Sequence, residues 1–307
     1  MWQKSRKKRA NLQEKLDAIV LRDFGAPFEL IMPDKPASPL VLSSPHSGRT
    51  YPKEFQAQTS LSLSQLRLVE DSYVDQIIKP LSEHNIAYIG ALFPRSYVDL
   101  NRSPNEVPPY SRIQGEDTPY PRAISPRARS GLGVIPTHIQ IDQNIYAQNI
   151  TDTLITRRLN RFYHTYHQAL LGQINKTKMQ FGKALLLDCH SLPGTDMDGS
   201  PRPNIVLGNC FGKSCHNDTL DLLETLFQEA GYSTARNHPY AGGYITKTYG
   251  RPHDNIEAIQ IEINKDLYLN PVTIEPHSGI GGLTVAMENI ILRMHSHLLP
   301  DINIAAQ

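Results

Sequence analysis

Short apolar runs alternate with amphipathic segments along most of this chain, and no other pattern in it narrows the possible folds so far. Leu40 to Ser43, Ile86 to Phe93, Ala184 to Leu187, Asn204 to Leu207 and Ile256 to Ile263 read as strands. Ser64 to His84, Ile145 to Ile174, His216 to Ala230 and Gly282 to His297 read as helices. Strand and helix signals in alternation imply an α/β sheet covered by helices. No repeat, low-complexity tract or linker divides the 307 residues, so one domain over 1–307 is expected.

Two segments depart from the pattern. Residues 1–25 form a basic N-terminal extension, with Lys4, Arg6, Lys7, Lys8 and Arg9 ahead of the first acid, and read as the solvated start of a helix. Residues 103–135 are rich in proline and glycine with little periodicity; a loop this long is uncommon in a compact domain unless functional or mobile, and its place directly after Arg102 leads to the expectation that it borders the site.

Charge excludes some functions. The 31 basic and 30 acidic residues leave a net charge of +1, so no overall field favours nucleic acid or a membrane surface. No apolar segment reaches signal-peptide or membrane-spanning length. Three cysteines, Cys189, Cys210 and Cys215, are too few and odd in number for a disulfide framework, which points to a reducing, cytoplasmic setting.

Polar groups gather where the apolar runs stop. Ala184 to Leu187 is continuously apolar, as in a central parallel strand, and runs into Asp188-Cys189-His190. Val41-Leu42 runs into a turn that carries His46. Open α/β sheets bind ligands beyond the carboxyl ends of their strands, so each histidine is either a ligand or a satisfied structural residue. In Ile259 to Asn264 alternation sets three isoleucines on one face and Gln260, Glu262 and Asn264 on the other. A carboxylate in so apolar a strand needs a partner or a task, which makes Glu262 the candidate general base; an ordinary polar strand face is the alternative.

A catalytic zinc takes three protein ligands that mix histidine with a carboxylate. On a helix from Ser64 to His84, Asp71 and Asp75 share one face, so Asp71 is the candidate ligand with Asp75 in support, and Glu70 is the alternative. Arg95 to Arg102 adds two guanidiniums, a carboxylate and a carboxamide, a composition suited to an anionic substrate or to internal ion pairs. His164 and His167, three apart on a helix, read as a solvated face.

Taken in order, Pro45-His46-Ser47-Gly48, Asp71-Ser72-Tyr73-Val74-Asp75, Val98-Asp99-Leu100-Asn101-Arg102, Asp188-Cys189-His190-Ser191, Gly242-Gly243-Tyr244-Ile245 and Gln260-Ile261-Glu262 resemble the N-formylglutamate amidohydrolase family from about Val41 to Tyr268. The resemblance implies kinship with zinc carboxypeptidases and aspartoacylases. It implies a three-layer α/β/α sandwich, with a mixed, mostly parallel central sheet and one zinc or other divalent ion. It implies His46 and His190 as metal ligands, Glu262 as catalytic carboxylate, Arg95 as oxyanion stabiliser, and Asn101 with Arg102 as a clamp on a substrate carboxylate, while Asp71 as third ligand comes from the helix reading alone. Gly242 and Gly243 would let backbone approach the substrate. One departure stands out: those relatives draw a glutamate ligand from three residues after the first histidine, and here that residue is Arg49. The activity implied is hydrolysis of N-formyl-L-glutamate to formate and glutamate, a reaction of histidine degradation. The alternatives are another N-acyl amino acid, a C-terminal peptide residue, or a noncatalytic carboxylate binder.

Overall fold

The computed structural model describes residues 25–109, 125–140 and 143–299; the basic extension over 1–24 and residues 110–124 of the long loop lie outside the described residues. Seven strands build the main sheet: β1 (Phe28–Ile31), β2 (Leu40–Ser44), β3 (Ala87–Ala91), β4 (Ala184–Leu192), β5 (Ile205–Gly208), β6 (Thr234–Arg236) and β7 (Ile256–Asn264). Their order is β1-β3-β2-β4-β7-β5-β6. The inner four, β3, β2, β4 and β7, are parallel; β1 is antiparallel to β3, while β5 is antiparallel to β7 and parallel to β6.

Helices cover both faces: α1 (Val74–Ile78), α2 (His164–Phe181), α3 (Asn217–Glu229), α4 (Tyr244–Tyr249) and α5 (Gly279–Leu298). On one face Tyr166, Leu170 and Ile174 of α2 pack with Val41, Leu186 and Ala258. On the other, Val74 of α1, Leu223 of α3 and Met287 of α5 pack with Leu42, Leu187 and Ile261. The result is a three-layer α/β/α sandwich, as expected from the alternation. All nine residues of β4 are buried, so neither of its faces reaches water. None of the described helices is long and apolar enough to cross a membrane. All three cysteines are free and buried.

The face that carries the site changes character along the strands. Successive strand residues point to opposite faces, so Val41, Leu186 and Ala258 are followed on their own face by Ser43, Asp188 and Gln260, then by His190 and Glu262. Register aligns them across the sheet: Ser43 is paired with Asp188, Asp188 with Gln260, and His190 with Glu262. One surface is thus apolar under α2 and polar at its carboxyl end.

The continuous helix expected from Ser64 to His84 is replaced by three short pieces. A helix over Leu63–Arg67 stops, Tyr73 takes a left-handed conformation (φ 67°), α1 follows, and a 3-10 turn runs over Lys79–His84. Tertiary hydrogen bonds win over helix propensity here. Asp71 N–H donates to His46 O (3.1 Å), and the Glu70 carboxylate accepts from Tyr51 (2.6 Å) and Ser72 (2.6 Å). Asp71 and Asp75 therefore do not share a helix face. The segment expected to be helical from Ile145 begins its helix at Asp152, capped by Thr151, and passes through a π turn at Leu159–Tyr163 into α2. His167, expected on a solvated face, is buried and bonded to Tyr249 and to Leu100 O, because that side of α2 is covered by α4 and the segment that carries Leu100.

Leu187 is fully buried on the central strand, so Leu187→Ala should lower unfolding free energy by about 2–5 kcal/mol in a urea titration. A loss below ~1 kcal/mol would mean that the second apolar layer repacks freely around β4.

Candidate active site and metal centre

His46 sits on the turn after β2, Asp71 on the irregular link before α1, and His190 near the end of β4; all three are buried. Their ligand-type atoms lie within 4.8 Å of one another. His190 Nδ1 is 2.9 Å from Asp71 Oδ2, and His46 Nδ1 is 3.4 Å from the same oxygen without a hydrogen bond to it. The rings meet edge-on at 4.8 Å between centroids. Ser191 Oγ donates to the other Asp71 oxygen (3.1 Å).

Each histidine is held from behind by a carboxylate. His46 Nε2 donates to Asp99 Oδ1 (2.8 Å), and His190 Nε2 to Asp188 Oδ2 (3.0 Å). Asp188 Oδ1 in turn accepts from Ser43 (2.9 Å). With Nε2 bonded to an outer carboxylate, Nδ1 is the ring nitrogen turned toward Asp71, the outer arrangement that metal-binding histidines commonly have. Two imidazoles and a carboxylate form a zinc-type donor set, and the buried, unbonded His46 Nδ1 fits a missing electrophile. The cluster is therefore chemically able to hold a metal ion.

The charges around it favour a cation. Burial alone would raise Asp71, yet the hydrogen-bonded His190 and the nearby His46 hold its carboxyl well below the usual carboxylate range. Burial alone would lower His190, yet Asp188 and Asp71 raise it well above an ordinary imidazole. Positive charge is retained between these groups even in a desolvated pocket.

Glu262 faces His190 from β7 and accepts from Gln260 Nε2 (2.7 Å). Burial pushes its carboxyl up to about 8, against the pull of His190 and Arg95. Arg95 donates to Asp99 Oδ2 (2.9 Å), so one buried aspartate orients both a histidine and a guanidinium. Asp99 stays well below the usual carboxylate range, since Arg95, His46 and Arg102 outweigh its burial. Arg102 donates to Leu132 O (3.1 Å) and Asn101 O (3.3 Å), and its guanidinium is 3.9 Å from Asp99.

Asn101 ties three elements together. Its Oδ1 accepts Ile245 N–H at the start of α4 (2.8 Å), and its Nδ2 lies 3.1 Å from His190 Nε2 and 3.4 Å from Gln260 Oε1. A Cβ on Gly243 would collide with that carboxamide, and one on Gly242, at φ 132°, would meet Cys210 and Thr246. The two glycines are required by this packing.

His46, Asp71, His190, Glu262, Arg95, Asn101, Arg102, Gly242 and Gly243 all line one cavity of about 910 Å³. Arg127 and Leu132, from the described end of the proline-rich segment, line it as well. Glu70 and Asp75 do not: Glu70 is satisfied by Tyr51, Ser72 and Arg67, and Asp75 makes a two-pronged pair with Arg49 (2.8 and 2.9 Å). Sequence reasoning passed over Asp99 as a histidine partner, although it stood between the arginines. It also missed Lys265, a half-buried cavity-lining cation one residue beyond β7, whose Nζ donates to Glu70 O (2.6 Å). A lysine at the carboxyl end of a site-bearing strand was the available signal.

The likeness to known proteins runs over the same residues. A curated Pseudomonas putida protein named N-formylglutamate deformylase is 25% identical over 238 residues, covering 75% of this chain and 82% of that protein. A crystal structure of N-formylglutamate amidohydrolase from Ralstonia eutropha JMP134 superposes with a TM-score of 0.82 at 32% identity, over 89% of this chain and 98% of that one. A gene product of Agrobacterium tumefaciens shares the fold at a TM-score of 0.63 and 17% identity, over 89% of this chain and 96% of its own. The family model described as N-formylglutamate amidohydrolase matches residues 38–269, which hold every residue of the cluster, and the chain belongs to that family of amidohydrolases.

Proposed function

We propose that this chain hydrolyses the formyl amide of N-formyl-L-glutamate, releasing formate and L-glutamate. The observation that carries the reading is the convergence of His46 Nδ1, Asp71 and His190 Nδ1 in a cavity shared with Glu262 and with the cations Arg95, Arg102 and Lys265 among its lining. His46, Asp71 and His190 would hold one divalent ion, zinc by the donor set. When bound, such an ion supplies Lewis acidity to the amide carbonyl and makes water a stronger nucleophile near neutral pH.

The side chains divide the remaining work. Glu262 takes a proton from the attacking water and passes it to the leaving nitrogen. Any cation held nearby lowers its carboxyl from the raised value that burial imposes, toward the range where it accepts that proton. Arg95, kept in place by Asp99, stabilises the oxygen on which negative charge develops. The substrate has two carboxylates to anchor. Arg102 beside Asn101 serves one and Lys265, on the β7 side, the other, which fixes the amide over the cluster. Asn101 contributes mainly by holding Gln260 and α4 in register.

Formate release from N-formyl-L-glutamate, followed with and without a chelator, tests the reaction. Activity should vanish on metal removal and return with zinc; full activity in metal-free protein overturns the reading. Glu262→Gln should cut kcat by at least about 1,000-fold with metal content unchanged. Survival of activity within a few-fold removes Glu262 as the base.

Metal titration separates the acidic candidates. Asp99→Asn and Asp188→Asn should each weaken divalent-ion affinity by roughly 10- to 100-fold through loss of an outer carboxylate, and Asp71→Asn by more. Asp75→Asn, whose carboxylate is spent on Arg49, should leave affinity within a few-fold. A larger loss in Asp75→Asn than in Asp71→Asn would reassign the ligand.

The two arginines should differ in kinetics. Arg95→Ala should lower kcat by about 100- to 1,000-fold, and Arg102→Lys should mainly raise KM, because it keeps charge and loses the planar fork. An unchanged KM in Arg102→Lys argues against a carboxylate clamp.

A further inference from the structure

The cavity is larger than formylglutamate requires. Its volume of about 910 Å³ falls at the upper end of the roughly 300–1,000 Å³ that encloses drug-sized ligands, whereas N-formyl-L-glutamate has about a dozen non-hydrogen atoms. Polar groups line its floor, and its mouth mixes large apolar side chains with the exposed Arg127 and Lys247 and the half-buried Asn237. Leu68, Leu132, Phe211 and Tyr240 line it while 44%, 38%, 75% and 36% exposed. Large apolar side chains left open along one cavity offer contact to an apolar group of a ligand that enters it.

Phe211 is the clearest of these. Cys210, Phe211 and Gly212 are successive left-handed residues, with φ of 53°, 57° and 82°. A bulky side chain in that region costs backbone strain, and at 75% exposure Phe211 recovers little of it through burial. The turn is nevertheless firmly held. Asn237 Oδ1 accepts from Asn209 N–H (3.1 Å) and Phe211 N–H (3.3 Å), its Nδ2 donates to Asn209 Oδ1 (2.9 Å), and Cys210 N–H donates to Ala241 O (2.7 Å). Cys210 packs against Gly242 and Asn101 against Gly243, so the ring is carried at a fixed distance from the floor.

We propose that this mouth is an acyl subsite: the enzyme also takes N-acyl-L-glutamates whose acyl group is apolar and larger than formyl, with that group laid against Phe211 and Tyr240. The inference rests on the preceding reading of the floor. Both carboxylates of the glutamate are engaged by floor cations, and growth through either would turn a charged group into an amide and forfeit its partner. The substituent on the acyl carbon, hydrogen in the formyl compound, is the direction in which the substrate grows without that loss. The reaction is unchanged: water oxygen bonds to the acyl carbon, the C–N bond breaks, and the products are the acyl carboxylate and the glutamate ammonium.

The test is a comparison of kcat/KM for N-formyl-, N-acetyl-, N-hexanoyl- and N-benzoyl-L-glutamate on the metal-loaded protein, with the γ-anilide of N-formyl-L-glutamate as a control for growth on the acid side. Hexanoyl and benzoyl compounds should be cleaved at least as efficiently as acetyl. Phe211→Ser should lower the benzoyl-to-formyl ratio about tenfold, at the low end of what an apolar contact contributes to discrimination. A steady fall from formyl to benzoyl, an unchanged ratio in Phe211→Ser, or preference for the anilide overturns the subsite while cleavage of N-formyl-L-glutamate stands. Failure to cleave any N-acyl-L-glutamate overturns both.

Discussion

The hydrogen bond from His190 Nε2 to Asp188 is the constraint on which the site's geometry turns. It joins two residues on one face of a strand that is buried on both sides, so neither partner has room to move. Asp188 is itself fixed by Ser43 from the neighbouring strand, and Ser43 is in contact with Tyr166 of α2 (3.1 Å). With Nε2 thus engaged, Nδ1 is the nitrogen turned toward Asp71. Asp99 does the same for His46, and because its second oxygen takes Arg95, the position of a cation above the cluster follows from the same carboxylate that sets a ring. Removing either aspartate would cost orientation at two places at once.

Such a concentration of polar groups has a stability cost. Asp71, Asp99, Asp188, His46, His190 and Glu262 are all buried, and each charged group taken from water incurs a desolvation penalty that pairing offsets only in part. The fold places them where that penalty is best contained. The same sheet face is apolar under α2, where Val41, Leu186 and Ala258 pack, and turns polar only in its last residues. Cohesion comes from the first half of each strand and chemistry from the second. The opposite face, packed by α1, α3 and α5, stays apolar through Ile259, Ile261 and Ile263, so the polar end is backed by a continuous core.

Much of this was legible because strand periodicity is a strict two. The alternation in Ile259 to Asn264 set Gln260, Glu262 and Asn264 on one side, and the strand carries all of them there. The run from Ala184 placed Asp188 and His190 on the face of Leu186. The stretch from Ser64 to His84 was not legible by the same means. Its apolar spacing is helical, but Tyr73 leaves the helical region and Glu70 is drawn into bonds with Tyr51 and Ser72 that no local pattern encodes. The link between Asp99 and His46 spans 53 residues and was equally invisible to local reasoning, although its charge among arginines was plain.

Arg49 shows how the broken helix and the cluster depend on each other. In the proposed assignment the carboxylate comes from Asp71 rather than from the third residue after His46, and the arginine found there has a different duty. Its guanidinium grips Asp75 with two hydrogen bonds and lies 4.6 Å over the Tyr73 ring. Ser47 Oγ accepts Asp75 N–H (3.2 Å), and His46 O accepts Asp71 N–H (3.1 Å). The turn that bears His46 and the link that bears Asp71 are thereby laced together on both sides of Tyr73. A glutamate at position 49 would put a carboxylate beside Asp75, and repulsion would act on the link that positions Asp71. With Asp71 as the acid of the cluster, a cation at 49 is the residue that keeps it there.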